Sequence, residues 1–457
     1  MVQENKTKAL GTEPVGKLLL QYSLPAIIGT TITSLYNIID SIFIGHGVGP
    51  LAIAGLAITF PLMNLVVAFS TLVSAGASTI SSIRLGQNDL KGAQEILGTT
   101  LILCLTNALF FGLLAFLFLD PVLRFFGAST ETLPYARDFM QVILLGTPIS
   151  YTMLSLNNIM RATGYPRKAM LTSLVTVITN IILAPIFIFY FHWGIRGAAT
   201  ATVISQAIGM VWVIHHFTSV SSLVRFIPGM WRLRARVVGN IYSIGMSPFL
   251  INVCACMIVI VINNTLRSYG GDLAIGAYGI INRLLTLYVM IVLGLTMGMQ
   301  PIAGYNYGAM KMDRVWKLLR IGIVTGILIT SSGFIICETV PHLVSSIFTK
   351  SDELIEIASS GLRICVLMFP LVGAQTVISN FFQSIGKAKV SIFLSLTRQL
   401  LYLLPGPLIL PRYFGINGVW ASQPIADFLA FVTAIFYLTY YRKRIGWKKQ
   451  ADINKTI

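Results

Sequence analysis

The chain has 457 residues, of which 55% are hydrophobic and only 11% are charged, and its formal net charge is +17. Soluble domains carry about 25% charged residues, so this composition excludes an ordinary soluble domain and indicates an integral membrane protein. A net positive charge of this size could also indicate a protein that binds nucleic acid. The basic residues lie between apolar runs, however, without a patch of interleaved aromatic residues, so we expect no nucleic-acid partner.

The first apolar run extends from Leu18 to Gly45 and is too long for the core of a signal peptide, so we expect it to be retained as a membrane helix. It contains Pro25 near its start and one carboxylate, Asp40, near its end. A charge at the centre of a bilayer costs ~2.5–3.5 kcal/mol on insertion scales, so Asp40 is a candidate ion or proton site. The alternative is a helix-end residue hydrated at the membrane surface.

Eleven further apolar runs follow, and a spanning helix needs about 20 such residues. The twelve predicted spans are 15–44, 51–83, 92–119, 134–162, 168–191, 195–218, 237–268, 273–306, 314–340, 354–384, 388–411 and 415–441. Prolines in or near these runs remove helix hydrogen bonds and allow bending; they include Pro25, Pro61, Pro148, Pro185, Pro248, Pro301, Pro370 and Pro407.

No segment between the runs could fold as a soluble catalytic domain, so we expect no enzyme activity and no cofactor. The five cysteines lie within apolar runs, which favours buried side chains over metal ligands.

The second half of the chain repeats the first at an offset of 221–223 residues. The matching landmarks are Pro25 and Pro248, LAIAG (51–55) and LAIGA (273–277), Gly76 and Gly298, Gly86 and Gly308, Pro148 and Pro370, Asn158 and Asn380, Gly164 and Gly386, Pro185 and Pro407, and Gly197 and Gly418. Six helices in each half would give both halves the same orientation, which is a parallel repeat. We therefore predict an all-α membrane protein with about twelve transmembrane helices in two six-helix lobes related by a parallel pseudo-twofold repeat. The predicted lobes are 1–220 and 237–457, joined by a cytoplasmic linker, 221–236.

Lysine and arginine are distributed unequally between the two sides of the membrane. With twelve spans both termini lie on one side, where 24 basic residues fall against six on the other. Because basic residues are enriched in cytoplasmic loops, both termini are predicted to be cytoplasmic.

Two six-helix lobes are typical of alternating-access transporters. A channel more often uses symmetric subunits around one pore, and a membrane enzyme would show a cluster of catalytic residues at a membrane surface.

Three polar residues of the first half could share one depth in the membrane. Asp40 ends the first run, Asn180 lies in the fifth, and Thr202 lies in the sixth. A carboxylate, an amide and a hydroxyl form an oxygen-rich site that could hold a hard cation such as Na⁺, or a proton. The alternative for Asn180 and Thr202 is an ordinary hydrogen bond between helices.

The second half carries different polar residues inside its runs. Under the repeat, Asp40 corresponds to Ile262 and Asn180 to Tyr402, so the acidic site is not duplicated. Asp427 could simply neutralise Arg398 or Arg283. The further candidates for a drug cavity or a C-lobe polar network are Tyr36, Asn157, Arg283, Gln300, Arg398 and Asp427.

Several segments resemble the multidrug and toxic compound extrusion (MATE) family over essentially the whole chain. They are LGTEPVGKLLLQYSLPAIIG (10–29), LYNIIDSIFIG (35–45), RLGQNDLKGA (84–93), NNIMRATGYPRKAM (157–170), GIRGAATATVISQ (194–206) and GVWASQPIADFLA (418–430). The resemblance implies antiport, in which cationic amphipathic drugs leave the cell as protons or sodium ions enter. It also implies a cation-coupling site at Asp40, Asn180 and Thr202, with Pro25 as the residue at which the first helix bends.

One departure from the family pattern bears on the coupling ion. The fifth helix of the family often carries an aspartate one turn after the asparagine, where this chain has Ala184. A site with one carboxylate binds sodium weakly but can still take up a proton, so the prediction is coupling to H⁺ rather than Na⁺. We expect a monomer in the lipid bilayer of a bacterial inner membrane. The alternative function is a flippase for lipid-linked or polysaccharide intermediates, which Arg283, Arg363 and Arg398 would favour.

Overall fold

The computed structural model describes residues 8–220, 222–231, 233–349 and 351–453, without the side chains of residues 37, 38, 50, 272 and 444–453. Every regular element of the described residues is a helix, which confirms the predicted all-α class. In chain order the helices are α1 (Val15–Gly47), α2 (Pro50–Gly86), α3 (Leu90–Leu117), α4 (Leu119–Phe125), α5 (Leu133–Leu145), α6 (Thr147–Ala162), α7 (Pro166–Pro185), α8 (Gly194–Thr218), α9 (Ala235–Gly308), α10 (Met312–Thr339), α11 (Pro341–Ser346), α12 (Asp352–Val366), α13 (Phe369–Ser384), α14 (Ala388–Leu396), α15 (Pro405–Ile409), α16 (Pro411–Phe414) and α17 (Ile416–Ile453). Two π-helical turns follow α7 and α14, at Ile186–Tyr190 and Thr397–Leu403.

The membrane spans agree with the twelve predicted from hydropathy. Ten stretches of the described residues are long and apolar enough to cross a bilayer, and the number is twelve if each of two bent helix pairs is one span. Element α9 consists of two helices joined at a kink, and each is a candidate span, Ala235–Gly271 and Leu273–Gly308. They are separated by Gly271, whose φ of 67° lies in the left-handed region that glycine adopts without strain.

Each half of the chain contains one bent span, and the two bends occupy equivalent positions in the repeat. Helices α5 and α6 meet at 55°, and α12 and α13 meet at 52°. The second residue of α6 is Pro148 and that of α13 is Pro370. Proline lacks the N–H that would continue the preceding helix, so it is tolerated at the start of a new helix after a bend.

The chain forms two compact units, of which the first comprises Met1–Val253, Met297–Leu318 and Ser384–Gly386. Within it α2, α3 and α6 pack together, and α1, α7 and α8 form a second group. The large side chains of Tyr151, Leu97 and Leu156 are fully buried there.

The second unit comprises Cys254–Thr296, Leu319–Gln383 and Lys387–Ile457. Its core gathers aliphatic side chains around Phe369 and Trp420. The exact lobe boundaries at 220 and 237 stay a prediction.

Candidate functional site

Helices α1, α7 and α8 each contribute one polar side chain to a buried cluster. The Asn180 amide Nδ2 donates to Thr202 Oγ1 at 3.0 Å and lies 3.5 Å from Tyr36 Oη. Tyr36 Oη and Thr202 Oγ1 are 2.9 Å apart. Because the Thr202 hydroxyl donates to the Ala198 carbonyl at 3.2 Å, it accepts the hydrogen bonds from Asn180 and Tyr36. The structure therefore joins Asn180 and Thr202 by a hydrogen bond between helices, which is the alternative considered for these two residues, and Tyr36 joins them. Their role in cation coupling stays a prediction.

Asp40 lies one helical turn after Tyr36 and so shares its face of α1. Its side chain is buried, with 7% of its surface exposed, and its Oδ1 has no hydrogen-bond partner. None of the ion pairs in the described part of the chain includes Asp40. No hydrogen bond joins it to Asn180 or Thr202 among the described contacts. The result is a buried acid beside a neutral polar cluster, with no cationic side chain paired to it in the part of the chain that the structure describes.

Two other residues considered in the sequence analysis, Pro25 and Ala184, lie on the same helices as Asp40 and Asn180. Pro25 lies within α1, which continues as one helix from Val15 to Gly47. Ala184, one turn after Asn180, is fully buried and supplies no second carboxylate. The role of Pro25 in bending stays a prediction.

Asn157 on α6 is also buried, and its Oδ1 has no hydrogen-bond partner. No described contact links it to Asp40. Among the residues described, no three His, Cys, Asp or Glu side chains gather as a metal site.

The second unit has its own polar centre. Arg398 donates through Nε and Nη2 to Asp427 Oδ1, at 3.0 and 2.8 Å, and Gln423 lies 3.3 Å from Asp427 Oδ2. Asp427 is 1% exposed, so the arginine neutralises a buried carboxylate. Arg398 and Gln423 line a cavity of about 170 Å³ whose wall includes Tyr278 and Trp420.

The remaining two candidates lie apart from this centre. Arg283 is exposed and, in the residues described, takes no part in an ion pair. Gln300 belongs to the first unit, where its Nε2 donates to Ser78 Oγ at 2.9 Å and to Thr79 Oγ1 at 2.6 Å. Of the proposed C-lobe network, the structure therefore joins Arg398 and Asp427 only.

The family model MatE matches residues 25–186 and 248–408. This chain belongs to the MatE family. The two matched segments begin 223 residues apart and end 222 apart, which is the offset of the sequence repeat. The two-lobe fold and the predicted MATE family are thus confirmed, and this MATE chain is a transporter.

Curated relatives and solved structures cover almost the whole MATE chain. Multidrug export protein MepA of Staphylococcus aureus (strain bovine RF122 / ET3-1) is 27% identical over 440 residues, which is 94% of this chain and 95% of that protein. MepA of Staphylococcus haemolyticus is 28% identical over 441 residues, 96% of each chain. The MATE multidrug transporter DinF-BH, solved in complex with a dye, is 34% identical with a TM-score of 0.88, covering 95% of this chain and 97% of its own. A MATE crystal structure in the bent conformation superposes with a TM-score of 0.90 at 24% identity, over 98% of both chains, and shows the fold alone.

Sequence reasoning missed two polar contacts of this MATE protein. Tyr36 was identified only as a cavity candidate, although its spacing of four residues from Asp40 could have placed it at the site. The hydrogen bond between Tyr402 Oη and Thr433 Oγ1, at 2.9 Å, was not anticipated. Tyr402 takes the position of Asn180 in the repeat, so this position bonds to a neighbouring helix in both halves.

Proposed function

We propose that this protein is a secondary active multidrug efflux transporter that exchanges cationic amphipathic compounds for protons by alternating access, with Asp40 as the coupling residue. The observation that supports the proposal is the burial of Asp40 without any cationic partner in the described residues. A buried charge that no protein group compensates is costly, so the site favours either a bound cation or a neutral, protonated acid. These two states are mutually exclusive at one carboxylate, which is the requirement for exchange.

Protons fit this site better than sodium ions. Sodium needs several oxygen ligands held around it, and a second carboxylate would strengthen its binding. Here Ala184 occupies the position of that second acid, and the Thr202 hydroxyl is already engaged by Asn180 and Tyr36. A single carboxylate can be neutralised by a proton without other ligands.

The proposed cycle follows from the charge on Asp40. With the site open to the cytoplasm, ionised Asp40 attracts a cationic drug. Protonation from the outside then removes the charge, weakens the attraction and releases the drug, with the first helix bending at Pro25. The same proposal places the protein in a bacterial inner membrane as a monomer.

The flippase alternative gains no specific support. A carrier of lipid-linked anions would need uncompensated positive charge in its cavity. Arg398 lines the cavity of the second unit but is paired with Asp427, and Arg283 is exposed.

Efflux from vesicles tests the coupling. Proteoliposomes are loaded with ethidium, a cationic fluorescent dye, since the solved relative DinF-BH also holds a dye. Efflux is followed at fixed voltage while pH and sodium gradients are imposed separately. We expect a pH gradient alone to drive efflux, and a sodium gradient alone to leave it near the passive rate.

The same assay compares Asp40→Asn with Asp138→Asn. Asp138 is a matched control because its carboxylate is partly exposed and paired with Arg196 Nη2 at 2.7 Å. We expect Asp40→Asn to lose efflux driven by the pH gradient and Asp138→Asn to keep it. Normal coupled efflux in Asp40→Asn would contradict the assignment of Asp40.

A further inference from the structure

A basic pocket lies at one end of the first unit, formed by the end of α2, the start of α3 and the start of α9. Its volume is about 480 Å³. The charged residues in its lining are Arg84, Asp89, Lys91, Glu95, Arg234 and Arg236. Two complete spans, α1 and α2, separate Val15 from the pocket, so the pocket lies on the same side of the membrane as the start of α1.

Both acids of the basic pocket are already neutralised. Asp89 pairs with Arg84 Nη1 at 2.8 Å, and its other oxygen accepts the Gly92 N–H at 2.9 Å. Glu95 pairs with Arg234 Nη2 at 3.1 Å. Lys91 and Arg236 take part in no ion pair of the described residues. The pocket therefore carries about two uncompensated positive charges.

The pocket lining combines cationic side chains with apolar ones, which suits an anionic group attached to a larger molecule. Val237 supplies partly exposed apolar surface next to the cationic side chains, with the buried Ile80 and Ile96 behind it. A phosphate group needs convergent Lys and Arg donors, and a glycerol or acyl portion needs apolar contact. Basic pockets between transmembrane helices on the cytoplasmic side are suited to anionic lipid head groups.

We propose that the basic pocket binds a phosphate-bearing anion, with Lys91 and Arg236 as the residues that hold the phosphate. A phospholipid head group and a soluble phosphate ester share this chemistry. The proposal concerns a site remote in sequence from Asp40 and does not depend on the nature of the coupling ion.

The test is binding by the purified full-length protein, with the double variant Lys91→Ala/Arg236→Ala. Native mass spectrometry measures retention of phosphatidylglycerol against phosphatidylcholine, and thermal shift measures titration with glycerol 3-phosphate. Since each basic residue near a membrane surface contributes about 1 kcal/mol, we expect the double variant to lose about thirtyfold in affinity for the phosphate-bearing ligand. The control is Arg167→Ala/Arg225→Ala, which removes two exposed charges elsewhere in the same unit.

The outcomes separate the two ligand sources. Preference for phosphatidylglycerol that the double variant loses and the control keeps identifies a lipid head group. Stabilisation by glycerol 3-phosphate with the same pattern identifies a soluble ester. Equal retention of both lipids with no response to the ester, or an equal effect of the two double variants, would overturn the proposal.

Discussion

Asp40 is the one carboxylate of α1 and lies beside a cluster of three neutral polar side chains. Tyr36, Asn180 and Thr202 satisfy one another and leave the carboxylate without a hydrogen bond at Oδ1. If the amide or either hydroxyl donated to the acid, its charged form would be stabilised permanently. Their mutual hydrogen bonds therefore keep the charge of Asp40 dependent on what binds.

Ala184→Asp is predicted to introduce a response to sodium. The new carboxylate would lie on the same face of α7 as Asn180, and one added negative charge near a bound cation contributes about 1–4 kcal/mol. We expect efflux driven by a sodium gradient to become measurable, with apparent sodium affinity raised at least about fivefold. Ethidium efflux from proteoliposomes with the sodium gradient imposed alone measures this.

The matched control is Ala184→Asn, which adds the same volume without the charge. A gain of sodium-driven efflux in Ala184→Asn as well would show that polarity or size, not charge, is responsible. An unchanged ion dependence in a well-folded Ala184→Asp protein would refute a cation site at this depth.

Between helices, close approach depends on glycines that face a neighbouring backbone. A Cβ at Gly245 of α9 would lie 1.7 Å from the Leu72 carbonyl oxygen of α2. One at Gly76 of α2 would lie 2.0 Å from the Ile241 carbonyl oxygen of α9. Small residues allow membrane helices to pack at backbone distance, where dispersion contacts are most numerous.

Gly245→Ala should therefore destabilise the protein, by roughly 1–3 kcal/mol as overpacking commonly does. Gly239→Ala in the same helix is the control, because nothing lies within 4 Å of its Cβ position. We expect the first variant to lower the apparent Tm in detergent and the second to leave it unchanged or raise it slightly, since alanine favours helix. Equal Tm values for the two variants would show that α2 and α9 can accommodate the added methyl group without loss of stability.

The repeat shows how far sequence reasoning could reach in these helices. Pro148 and Pro370, at the two bends, are two of the eight prolines at which bending was considered possible, and opposite charges in apolar runs indicated the Arg398–Asp427 pair as one alternative. The cluster around Tyr36 could not be predicted in the same way. A helix that is apolar on all sides has no amphipathic stripe, so its sequence does not reveal which face meets a neighbour.

For the whole molecule, hydropathy was sufficient to count the spans, because length and apolarity alone decide whether a helix can cross a bilayer. The internal repeat was also visible, since prolines and glycines recur at a fixed offset. Hydropathy gave no indication of the basic pocket. Its formation depends on which charges neutralise one another, and the paired residues Glu95 and Arg234 are separated by 139 positions along the chain.

Orientation in the membrane is the property of the whole chain that remains to be measured. With twelve spans both termini would lie on one side, and the excess of 24 basic residues over six predicts that this side is the cytoplasm. We expect a C-terminal green fluorescent protein fusion to be fluorescent and a C-terminal alkaline phosphatase fusion to be inactive. The exposed turn at Gly127, between α4 and α5, follows three spans and should give the opposite result when the same reporters are inserted there.

Active phosphatase at the C-terminus would mean an odd number of crossings or an inverted protein, and the result at Gly127 distinguishes the two. An inverted protein would expose Asp40 to protons from the cytoplasm, so this measurement also determines the direction in which the proposed exchange can run.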